Sequence, residues 1–121
     1  MKIWHGPHDA GWETVQQELE AAYLTDGLPV VPPDAARVAA MLAHNGYRPE
    51  EEIALLPPGF ETATAGDIAI CAVMAGCKPE YLPVLIAATE ALSDMDFNLV
   101  GIATTTGSAA PVYIVNGPIA E

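Results

Sequence analysis

Cys71-Ala72-Val73-Met74-Ala75-Gly76-Cys77-Lys78-Pro79-Glu80-Tyr81-Leu82-Pro83 reads as the end of one helix, a corner, and the start of another. The apolar run Ile68, Ile70, Cys71, Val73, Met74 stops at Gly76. A new helix is expected from Pro79, because proline lacks the N–H that a first helical turn leaves unpaired. The corner therefore sets Cys77 just before a helix N-terminus, with Lys78 beside it. Free N–H groups and a nearby ammonium both favour a thiolate over a thiol. No other place in the sequence combines a nucleophile with such a setting.

Working outward, Thr64-Ala65-Gly66-Asp67 has the form of a capping box, so a helix is expected over 65–75. The helix after the corner should cover 79–92, with an irregular first turn because Pro83 falls at its fifth position. Upstream, Trp12, Val15, Leu19, Ala22 and Tyr23 recur at helical spacing and predict a helix over 12–24, ended by Gly27. Leu28 to Pro33 should be extended, since a residue before proline is pushed out of the α region, and is a candidate edge strand. A helix opens near Pro33-Asp34, buries Val38, Met41 and Leu42, and closes at Asn45-Gly46. Ile53 to Leu56 is a short strand candidate.

Downstream, Asn98 to Thr106 and Pro111 to Asn116 read as two β-type runs joined by Thr106-Gly107-Ser108-Ala109-Ala110. The expected fold is α/β or α+β, with about four helices packed on a small mixed sheet. Residues 1–25 form an arm and first helix, and 26–121 the α/β domain, within one domain overall. A two-stranded ribbon is unstable alone, so the helices or another chain must cover it.

Composition narrows the function. Of the 121 residues 51% are apolar, enough for a packed core. Sixteen acids against four Lys and Arg give a net charge of −12, which argues against nucleic acid and against anionic membranes. No apolar run is long enough to span a bilayer and no signal peptide is visible, so the expected location is cytoplasmic. Cys71 and Cys77 are read as free thiols, because six residues of helix would separate them by about 9 Å.

Cys77 is the candidate nucleophile or soft-metal ligand, supported by Lys78; Cys71, in mid-helix, is read as packing. Thr104, Thr105 and Thr106 lead into a hydroxyl-rich loop able to bind a carboxylate or phosphate, although it lacks the spacing and lysine of a nucleotide loop. Asn116 follows an apolar run, where ligands of α/β proteins gather. His5 and His8, near Asp9, lack a third strong ligand, so no metal site is assigned.

The motifs Asp26 to Pro33 ("DGLPVVPP"), Val73 to Cys77 with Pro79 to Val84, Phe97 to Leu99 and Ile114 to Ile119 ("IVNGPI") resemble those of a bacterial protein family. That family is linked to proteins with a (seleno)cysteine-Gly-Ser-Cys motif, some discussed alongside organomercury-lyase-like enzymes. Cys77 belongs to the shared pattern, whereas Cys71 and the segment Trp4 to His8 do not. Relatives continue after "IVNGPI" into a Gly- and Asn-rich half. The resemblance implies the small subunit of a hetero-oligomeric enzyme, with a second protein subunit supplying that half. The implied chemistry is lyase-like or thiol-dependent transfer on a small-molecule substrate, making or breaking a carbon–heteroatom bond. The alternative is a structural or regulatory subunit whose partner carries the chemistry. Neither the residues nor the resemblance names a cofactor.

Overall fold

Thr64 starts the central helix of the fold. In the computed structural model, which describes residues 3–6 and 10–120, the Thr64 hydroxyl accepts from the Asp67 N–H. The Asp67 carboxylate in turn accepts from the Thr64 N–H. This reciprocal cap satisfies two donors that a helix start otherwise leaves unpaired. In chain order the elements are α1 (Trp12–Ala21), α2 (Ala35–Asn45), β1 (Glu52–Leu56), β2 (Glu61–Thr64), α3 (Ala65–Met74), α4 (Leu82–Ser93) and α5 (Leu99–Thr104). Single 3-10 turns occupy Pro79–Tyr81, Met95–Phe97 and Pro118–Ala120. The class is α+β.

The core lies between α2, α3 and α4. Val38, Met41 and Leu42 meet Ile68, Ala69, Ala72 and Val73, and Leu82 and Ile86 close the cluster. Burial of this kind contributes about 1.5–3 kcal/mol per large side chain. Small residues let α3 come close to its neighbours: Gly66 donates its N–H to the Pro49 carbonyl at 2.9 Å. A Cβ at Gly66 would lie 2.7 Å from that oxygen.

Local signals set the helix ends. Asp34 caps α2 by accepting from the Arg37 N–H at 2.8 Å. It is buried, and it pairs with the Arg37 guanidinium, so its charge is not left uncompensated. Gly46 takes the left-handed conformation, φ 73°, that ends α2. At the end of α3 the Gly76 N–H bonds to Val73 O and the Cys77 N–H to Ala72 O, both at 2.9 Å. With Gly76 at φ 74° this is a Schellman turn.

The flanks dock on this frame. The Gln16 side-chain amide of α1 makes a reciprocal pair with the Val30 backbone, 3.0 Å each way. The Val31 N–H bonds to Met74 O at 3.0 Å, and the Trp4 N–H to Pro33 O at 3.1 Å. Among the described residues no helix is long and apolar enough to cross a membrane.

Several expectations need correction. The sheet is not mixed: β1 and β2 form an antiparallel hairpin, and β2 was not anticipated. The first helix ends at Ala21, not Leu24, because Tyr23 turns left-handed at φ 55° and points into solvent. Leu28 to Pro33 is extended but joins no named strand.

The two late β-runs are absent. Residues 99–104 are helical, because the Asn98 side chain accepts from the Gly101 N–H and nucleates a turn. Residues 111–116 are extended but pair with no strand among the described residues. A β-type run needs a neighbour to become a strand, and the hairpin does not offer one.

Candidate functional site

α3 and α4 face each other across an open groove. One stripe of α3, Asp67, Ile68, Cys71 and Ala72, continued by the C-cap Ala75, forms its floor, and one stripe of α4, Val84, Leu85, Ala88 and Thr89, forms the opposite side. Both follow the three- and four-residue spacing that brings side chains to one helix face. Leu56 and Ala63 of the hairpin close one end, Cys77 stands at the corner, and Tyr113 and Val115 lie along the mouth. The cavity measures about 590 Å³, within the range of small-molecule sites.

The polar groups in this lining are few. Thr89 donates its hydroxyl to Leu85 O at 2.8 Å. Asp67 is held in the cap of α3, with the Thr64 hydroxyl at 2.8 Å. The two thiols and the Tyr113 phenol at the mouth are the other polar groups among the described lining residues. Among the described residues no Lys, Arg or His lines the groove.

Cys71 is not a packing residue. It is solvent-exposed on the groove face of α3. Partial burial, and next the Asp67 carboxylate four residues earlier on the same face, push its thiol up and hold it protonated. Cys77 is half-buried at the corner, with its N–H committed to the Schellman turn and its side chain against the core.

The surroundings expected for Cys77 are only partly realised. After it comes a single 3-10 turn, Pro79–Tyr81, capped by Lys78 without a side-chain hydrogen bond. The Lys78 ammonium stands 6.0 Å from the centre of the Tyr81 ring, at the outer limit of a cation–π contact. Asn45 fixes the corner from the other side, donating to Pro79 O at 2.7 Å.

The other candidates lie apart. Thr104 turns its hydroxyl back to Val100 O at 2.8 Å, and Thr105 accepts from the Gly107 N–H at 3.2 Å. Thr106 is exposed, and none of the three lines the groove. Asn116 borders a shallower hollow that shares Val84, Ala88, Tyr113 and Val115 with it. His8 and Asp9 lie outside the described residues. Among those described, no three His, Cys, Asp or Glu side chains gather as metal ligands would.

Asp67, Cys71 and Thr89 are thus lining residues that the sequence reading missed. The i, i+4 spacing of Asp67 and Cys71, matched by Leu85 and Thr89, was the available signal.

No protein-family model, curated protein or solved structure matches this chain. The resemblance described above therefore rests on its quoted motifs alone.

Proposed function

We propose that the chain is a subunit of a hetero-oligomeric, thiol-dependent enzyme, with Cys77 as nucleophile in the α3–α4 groove. The observation that carries this reading is a thiol at one end of an apolar cavity of about 590 Å³ that no Lys, Arg or His side chain lines among the described residues. Such a site favours an uncharged or weakly polar substrate over an anion, because burying an anion without a partner is costly. The cysteine sulfur supplies an electron pair to an electrophilic carbon, an S–C bond forms, and the departing heteroatom leaves with its own pair. The thiol proton passes to the leaving group or solvent. A second polypeptide completes the site over the open mouth, where Tyr113 and Val115 cover only part of it.

Maleimides bearing progressively larger apolar substituents test this. Labelling of Cys77 should quicken with substituent size and saturate, as binding then precedes reaction, and an anionic analogue should gain nothing. In the complex, Cys77→Ser should leave assembly intact and abolish turnover. Strictly second-order labelling, blind to the substituent, would remove the groove as a substrate site.

One observation favours the non-catalytic alternative: Cys77 packs against the core cluster, as buried free cysteines commonly do. In that case Cys77→Ala would cost stability and leave turnover by the complex unchanged.

A further inference from the structure

From Phe97 to Ala120 the sequence holds no charged residue, in a chain whose net charge is −12. Within this tract Pro111 to Asn116 run extended, and no backbone N–H or C=O of theirs has a hydrogen-bond partner among the described residues. Exposure alternates along it: Val112 84%, Tyr113 53%, Ile114 83%, Val115 47%. This is the two-residue period of a strand. Tyr113 and Val115 face the groove while Val112 and Ile114 face solvent, so both faces are apolar.

A strand apolar on both faces is typical of the interior of a sheet. Strands left at an edge are normally protected by charge, proline or a bulge. Pro111 precedes this run and no charge interrupts it. The pattern is that of an inner strand shown without its neighbours.

We infer that residues 111–116 are a docking strand, to which a second polypeptide adds an extended edge strand by main-chain pairing over the mouth of the groove. The backbone groups specify an extended occupant, since only a strand presents donors and acceptors in the matching ladder. Charge argues against a second copy of this chain, because two bodies each at −12 repel on approach. The fitting partner is therefore a neutral or basic polypeptide with a free, apolar strand edge. This rests on the reading that a second polypeptide completes the site, and names the surface it uses.

Hydrogen exchange tests the inference, on the chain alone at two concentrations and on its complex with the co-expressed product of the adjacent reading frame. Amides 112–116 should exchange freely in the chain alone at both concentrations and slow by about 100-fold in the complex. Ile114→Pro removes a ladder donor and should weaken the complex by about tenfold, without changing the melting of the chain alone. A complex in which 112–116 stay unprotected would overturn the docking strand while leaving the two-polypeptide reading intact. Protection that grows with concentration in the chain alone would make a second copy the occupant, against this inference. Absence of any complex would remove both readings.

Discussion

Ile68-Ala69-Ile70-Cys71-Ala72-Val73 and Val112-Tyr113-Ile114-Val115 are both short apolar runs, yet their fates are opposite. The first is helical and mostly buried between α2 and α4. The second is extended, at least half exposed at three of four positions, and without backbone partners among the described residues. Hydrophobicity does not separate them. What does is the local chemistry at the ends and the presence of a facing surface. Thr64 and Asp67 cap the first run and Gly76 closes it, so it forms a helix with one stripe on the core and another on the groove. The second has neither cap nor ladder.

The sharpest way to break this comparison is to truncate one residue in each region. Leu82 is fully buried where α4 meets the core, and Leu82→Ala should cost about 2–5 kcal/mol in chemical denaturation. Ile114→Ala in the chain alone should cost less than about 0.5 kcal/mol, as exposed truncations do. Equal losses would mean that 111–116 is already part of the core.

A smaller effect probes how closely α3 is seated. Gly66→Ala gains about 1 kcal/mol of helix propensity but drives a methyl against the Pro49 carbonyl. Overpacking against backbone outweighs the gain, for a net loss of about 1–2 kcal/mol in the same titration. A stabilised Gly66→Ala protein would show that α3 can slide away from the Pro49 turn. Smaller again is Thr64→Ala, which removes the hydroxyl of the cap and should cost about 1 kcal/mol. Thr64→Ser should restore most of it, and failure to do so would assign the loss to β2 rather than to the cap.

These contrasts also mark what was legible in the sequence. Asp34, Gly46, Thr64 with Asp67, and Gly76 with Pro79 each act through a few neighbouring residues, so α2, α3 and the Cys77 corner follow from the chain itself. Residues 98–106 were misread because β-branched residues are common in strands. The deciding detail was Asn98 at φ 53°, a left-handed position that asparagine tolerates, capping Gly101. β2 was hidden because Glu61-Thr62-Ala63-Thr64 carries no large apolar residue and exists only through pairing with β1. The exposure of Cys71 depends on which stripe of α3 the neighbouring helices leave uncovered, a tertiary fact that helical spacing alone does not reveal.

The finest test concerns that stripe. Burial and then the Asp67 carboxylate raise the Cys71 pKa, so the fold keeps this thiol protonated where a free thiol, near 8.5, already ionises. In a Cys77→Ser background, which leaves Cys71 as the reporter, Asp67→Asn removes the nearby negative charge and should lower that pKa. At fixed mildly alkaline pH, iodoacetamide labelling of Cys71 should then quicken, by less than about tenfold because burial, the larger cause, remains. Stability should follow the same sign. A thiol whose pKa is raised by folding contributes stability that is whole below the unfolded pKa and is lost as pH rises through the folded one. The alkaline loss should therefore be shallower in Asp67→Asn than in its parent. Labelling at an unchanged rate would mean that the carboxylate does not act on Cys71, and that burial alone keeps the thiol protonated on the groove face of α3.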